Sequence, residues 1–67
     1  MKTFMIEETN GCKTYINLDN VIKVEADTKD PTTNEYSVMF YYIDGKIEGY
    51  YFSDFEFNYL HSILLNG

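Results

Sequence analysis

Two dipeptides, Asn10-Gly11 and Asp44-Gly45, constrain this chain more than anything else in it, because each separates two runs rich in β-branched and aromatic residues. Asn-Gly and Asp-Gly tolerate the positive φ values of a type I′ turn, whose twist matches that of paired strands, so both regions read as β-hairpins. The stronger of the two is Glu35 to Phe52, EYSVMFYYIDGKIEGYYF. With Asp44 and Gly45 as a two-residue loop, Tyr42 is expected opposite Ile47 and Phe40 opposite Gly49, with side chains alternating between two faces. One face then carries Tyr36, Val38, Phe40, Tyr42, Ile47, Gly49 and Tyr51 and is expected to be core. The other carries Ser37, Met39, Tyr41, Ile43, Lys46, Glu48, Tyr50 and Phe52, a mixture too aromatic for an ordinary solvated face. A one-residue bulge after Gly45 would turn one strand over relative to the other.

The same reasoning at Asn10-Gly11 pairs Lys2–Glu8 with Cys12–Leu18, setting Glu8 against Lys13, Glu7 against Thr14, Ile6 against Tyr15 and Met5 against Ile16. An opposite-charge pair across strands stabilises such a register by roughly 0.2 to 1 kcal/mol. Leu18-Asp19-Asn20 reads as a corner, since Asp and Asn bond to nearby backbone. Val21–Ala26 reads as a third strand, with Ile22, Val24 and Ala26 on its dry face. Asp27–Asn34 is a loop interrupted by Pro31.

After the central hairpin, Ser53-Asp54-Phe55-Glu56 matches the capping box of a helix start, with Phe52 and Phe57 placed as a hydrophobic staple and Asn66-Gly67 as a stop. Along this helix Phe55, Phe57, Tyr59, Leu60, Ile63 and Leu64 span an apolar arc of about 200°, roughly twice what one sheet contact needs. Asn58, His61 and Ser62 form its polar side. The expected fold is therefore α+β: one domain over 1–67, a five-stranded antiparallel meander forming a curved sheet or partial barrel, with one C-terminal helix packed on it.

Composition bears on function mainly by exclusion. Eleven acidic residues against five lysines, with no arginine, give a net charge of -6. Without guanidinium forks the chain is not expected to bind nucleic acid directly, and an acidic membrane surface would repel it. A basic protein partner is the natural complement. Cys12 is the only cysteine, which excludes an internal disulfide and a cysteine metal site. Asp27 and Asp30 lack the ligand spacing of a calcium loop, so no metal and no cofactor is expected. His61 has no nucleophile or orienting carboxylate at recognisable spacing. Adjacent Glu7 and Glu8 point to opposite faces of a strand, while Asp54 and Glu56 serve the helix start. No catalytic residues are assigned and no enzyme is expected.

No secretory signal follows Met1, and the longest apolar run, Val38–Ile43, is far too short to span a bilayer, so a cytoplasmic location is expected. The abundance of Phe, Tyr, Met, Ile, Asn and Lys beside scarce Gly, Ala, Arg and Pro matches A/T-rich codons and suggests a bacterial or bacteriophage source. Seven tyrosines are the remaining anomaly. Tyrosine offers large contact area at low entropic cost, which makes Met39, Tyr41, Glu48, Tyr50 and Phe52 the candidate partner-binding patch. The functional expectation is a non-catalytic acidic protein-interaction module, in its most concrete form a phage or mobile-element inhibitor of a nucleic-acid-handling protein. The small size and surplus apolar surface add an expected homodimer. The alternative is a small-ligand sensor or sequestering protein that stacks tyrosines on an aromatic ligand.

Overall fold

A computed structural model describes residues 2–8 and 10–66. Five antiparallel strands and one C-terminal helix follow in chain order: β1 (Thr3–Glu7), β2 (Lys13–Asn17), a 3-10 turn (Leu18–Asn20), β3 (Val21–Ala26), β4 (Tyr36–Tyr42), β5 (Ile47–Phe52) and α1 (Asp54–Asn66). The meander is divided. β1 and β2 form a two-stranded sheet, and β3, β4 and β5 form a three-stranded one in that order. The division falls at the 3-10 turn, where the Asn17 side chain accepts from the Asp19 N–H and redirects the chain before β3 begins. α1 touches both β1 and β5 and so bridges the two sheets.

Both hairpin registers differ by one residue from the two-residue loops that the dipeptides suggest. β1 pairs with β2 through Glu7 and Lys13, Ile6 and Thr14, Met5 and Tyr15, and Phe4 and Ile16. β4 pairs with β5 through Tyr36 and Phe52, Val38 and Tyr50, Phe40 and Glu48, and Tyr41 and Ile47. The cause is the same in both turns. The Gly11 N–H bonds to the Glu8 carbonyl and the Glu8 N–H to that of Cys12, and Gly45, Tyr42 and Lys46 repeat the pattern, which leaves three residues in each loop. The Asn10 and Asp44 side chains accept from the backbone N–H two residues on, at 3.0 and 3.1 Å. Gly11 and Gly45 take up positive φ (88° and 91°), while Asn10 and Asp44 do not. A type I′ turn would force an L-residue into the left-handed region in each loop; the three-residue loop confines that conformation to glycine.

The shifted register turns β5 over. Val38 and Phe40 face the core as expected, but Phe52, 1% exposed, and Tyr50 join them, while Tyr51 and Ile47 face out. A similar correction applies to β3. Two β3 residues, Val21 and Lys23, oppose the adjacent β4 residues Tyr42 and Tyr41, so Ile22 is the extra residue of a bulge and is exposed. Val21 and Val24 pack against the core in its place.

The core draws Phe4, Ile6, Ile16 and Leu18 from the first sheet side, Val38, Phe40 and Phe52 from the second, and Leu60 from the helix. Phe4 links all three parts, its ring lying 5.4 Å from Phe52 and 5.3 Å from Tyr59. The capping box forms as the sequence implies: the Ser53 N–H donates to Glu56 Oε1 at 3.0 Å, and the Glu56 N–H donates to Ser53 Oγ at 3.4 Å. Phe57 stacks on Tyr36 at 4.1 Å, and Lys29 reaches Asp54 at 2.7 Å, fixing the start of α1 against β4 and the 27–34 loop. The helix runs to Asn66; the stop expected at Asn66-Gly67 falls partly on Gly67, which lies outside the described residues. The wide apolar arc is only partly used. Leu60 is buried and Phe57 and Ile63 pack on the core, whereas Phe55 and Leu64 remain 80% and 41% exposed.

Candidate functional site

The five residues of the expected patch do not share a surface. Met39 and Tyr41 lie on the outward face of the three-stranded sheet, Glu48 and Tyr50 on its inward face, and Phe52 within the core. The register shift separates them, because moving β5 by one residue exchanges its two faces. Two surfaces take the place of that patch.

The first is the outward sheet face. β4 contributes Ser37, Met39 and Tyr41, β5 contributes Ile47, Gly49 and Tyr51, and β3 contributes Lys23 and Glu25. Tyr41 is held laterally: its hydroxyl donates to Glu25, and the Lys23 ammonium sits 4.7 Å from its ring centre and 3.6 Å from the Glu25 carboxylate. That hydroxyl and the nearby ammonium hold the Glu25 carboxyl below its ordinary range, while the same hydrogen bond raises the Tyr41 hydroxyl. Met39 lies over bare Gly49, where a Cβ would come 2.9 Å from its sulfur. Ile47 and Tyr51 stand exposed beside them, Tyr51 at 73%. Helix α1 bridges from β5 to β1 and buries Leu60 in the core, so it lies on the opposite side.

The second surface is a cleft of about 540 Å³ between β2 and the β4-β5 hairpin, lined by residues 14–17, Asn20, Tyr42, Ile43, Asp44, Lys46, Glu48 and Tyr50. It exists because the ladder breaks between the two sheets, so that among the described residues β2 pairs with β1 alone. Within it the Tyr42 and Tyr50 hydroxyls both donate to Glu48 Oε1, at 2.6 and 3.2 Å. Burial, then the bond to Glu48, pushes the Tyr42 hydroxyl well above its ordinary value; burial, then the Glu48 charge, pushes up that of Tyr50. The Tyr50 ring is braced by Phe52, stacked at 5.8 Å, and by the edge of Phe40 at 5.7 Å.

Ile47 and Tyr51, which stand on the outward face, are the residues that alternation from a two-residue loop misplaces, while Tyr42 keeps the inward face expected of it. The signal that recovers them is the bulge after Gly45, which returns β5 to its true phase. His61 is exposed on α1, with its ring 6.4 Å from Phe57. Cys12 is an exposed free thiol. Among the described residues no group of three or more His, Cys, Asp or Glu is arranged to hold a metal, and no helix is long and apolar enough to cross a membrane. Comparison of the chain with protein-family models, curated proteins and solved structures finds no match.

Proposed function

We propose that this chain is a non-catalytic protein-interaction module that engages a basic partner through the outward face of β3-β4-β5. The observation that carries the reading is the run of exposed Ile47 and Tyr51 beside half-buried Met39 and Tyr41 on a sheet whose other face already holds the core. Exposed apolar and aromatic side chains gathered on one face mark contact surfaces, because leaving them in water forgoes about 25 cal/mol per Å² of apolar area. Tyrosine and methionine suit such a surface, the first for rigid area and the second for adaptable packing. The -6 charge selects the partner's sign. In its most concrete form the module is an inhibitor, presenting carboxylates where a nucleic-acid-handling protein would hold phosphates. In the absence of a partner the same face serves self-association into a homodimer.

The test is affinity capture with the wild-type chain and an Ile47→Ala/Tyr51→Ala double variant side by side, at low and raised salt. Both residues are exposed, so the variant is expected to keep its fold and lose the captured protein, and raised salt is expected to release that protein from the wild type. Equal capture by the two chains would overturn the reading.

A further inference from the structure

We propose that the cleft between β2 and the β4-β5 hairpin is a binding site for an aliphatic ammonium group, with Glu48 as its counter-charge and Tyr42 and Tyr50 as its aromatic walls. The charges in the cleft do not balance. Lys46 lies 3.9 Å from Asp44 and offsets it, whereas no cation among the described residues pairs with Glu48. The hydrogen bonding is lopsided in the same place. Both tyrosine hydroxyls donate to Oε1, and among the described residues Oε2 receives no hydrogen bond. The carboxylate is thus held through Oε1 by two hydroxyls, one of them on the braced Tyr50 ring, while Oε2 of this cleft-lining residue is left as an acceptor.

That arrangement discriminates between cations. A guanidinium fork needs both carboxylate oxygens in its plane, and one of them is already occupied. An ammonium needs a single strong acceptor and can direct its other N–H groups at the tyrosine oxygens. Calcium would require about six or more oxygen ligands, far beyond what one carboxylate and two hydroxyls provide. A cleft of about 540 Å³ falls within the usual range for small-ligand sites, roughly 300 to 1,000 Å³. Glu48 is itself solvent-exposed, so water screens the charge and binding of a single amine is expected in the millimolar range.

Ammonium groups come as free alkylamines or as lysine side chains, and the β2 edge distinguishes them. Glu8 and Leu18 bond to Cys12 and Lys2 across the first hairpin, so the alternate residues Tyr15 and Asn17 direct their backbone groups away from β1. An extended lysine-bearing segment could pair with that edge while its side chain enters the cleft; a free amine gains nothing from it.

The experiment is a heteronuclear NMR titration following backbone amides, using n-butylammonium chloride, n-butanol, n-propylguanidinium chloride and the peptide acetyl-Gly-Lys-Gly-amide. Saturable shifts confined to residues 14–17 and 42–50 are expected with butylammonium, with affinity at least about tenfold lower for butanol and propylguanidinium. Glu48→Gln keeps an acceptor for both hydroxyls but removes the charge, and is expected to weaken butylammonium about tenfold or more. Tighter binding of the peptide than of butylammonium would support a lysine side chain as the ligand, and equal binding a free amine. Butanol binding as well as butylammonium, an absence of saturation, or an unchanged affinity in Glu48→Gln would overturn the proposal. If Glu48→Gln perturbs amides throughout the chain, the comparison of butylammonium with butanol on the wild type decides. The Ile47→Ala/Tyr51→Ala variant, altered only on the outward face, is expected to bind butylammonium normally, which separates this site from the partner-binding surface.

Discussion

Gly45 and Gly49 lie four residues apart in the central hairpin and demand opposite things. Gly45 sits at φ 91° with open space where a Cβ would be, so Gly45→Ala is expected to cost about 1 to 2 kcal/mol from backbone conformation alone. At Gly49 the φ is ordinary, and the only close neighbours of an added Cβ belong to the flexible end of Met39. Gly49→Ala is therefore expected to stay within about 0.5 kcal/mol of the wild type, since the lost clearance is offset by reduced chain freedom in the unfolded state. Urea unfolding midpoints measure both. A second expectation concerns alkali. The hydroxyls of Tyr41, Tyr42 and Tyr50 are all raised above the ordinary value of 10.0, Tyr41 first by its bond to Glu25 and the other two first by burial. A raised folded-state pKa contributes stability that is fully present below the unfolded value and is lost as pH rises through the folded one. Circular dichroism is expected to show the fold weakening above pH 10, and Tyr42→Phe is expected to flatten that dependence; an equally steep loss in the variant would contradict it. At the acid end the sign reverses: Lys29 holds Asp54 below 3.8, so the stability from that pair is present above this value and is lost as pH falls through the lower folded one.

Among the elements, β5 gives the sharpest contrast, because neighbouring residues have opposite fates. Phe52 is buried between Phe4, Phe40 and Tyr50, and Phe52→Ala is expected to cost about 3 to 5 kcal/mol. Tyr51, one residue earlier, points outward, and Tyr51→Ala is expected within about 0.5 kcal/mol. The reverse order in a denaturation experiment would return β5 to the two-residue-loop register. For α1, Ser53→Ala removes the hydroxyl that accepts from the Glu56 N–H and is expected to cost about 0.5 to 2 kcal/mol, read from the unfolding midpoint. The capping box was legible in four consecutive residues because its bonds are local and reciprocal. The helix's buried side was less so. The apolar arc fits several rotations about the axis, and only the position of Phe4 and Phe52 singles out Leu60 as the buried centre while leaving Phe55 in water.

At the scale of the whole molecule, surplus apolar surface and surplus charge oppose each other. Ile47, Tyr51, Phe55 and Leu65 are all exposed on a chain of 67 residues, while each copy carries a charge of -6. Burial between two copies favours association, and like charges resist it over a screening length of about 8 Å at physiological salt. Sedimentation velocity is therefore expected to show a dimer whose population rises with salt and falls in the Ile47→Ala/Tyr51→Ala variant. A clean monomer at every salt concentration would reserve that face for a different protein.

What the amino-acid sequence determined by itself is local: two turns centred on glycine, a strand over Val21–Ala26, a helix opening at Ser53, and the α+β class that follows from their order. Each depends on contacts among residues close in the chain, where side-chain chemistry alone selects the conformation. Tertiary structure decided the faces. One added loop residue at each turn inverts the phase of a strand, and the bulge at Ile22 does the same within β3, so burial could not be carried forward from alternation alone. It also decided the break between β2 and β3, which opens the cleft holding Tyr42, Glu48 and Tyr50. The local sequence marks the corner at Leu18–Asn20 but not the cleft beside it, which results from how two sheets and a helix share one small core around Phe4.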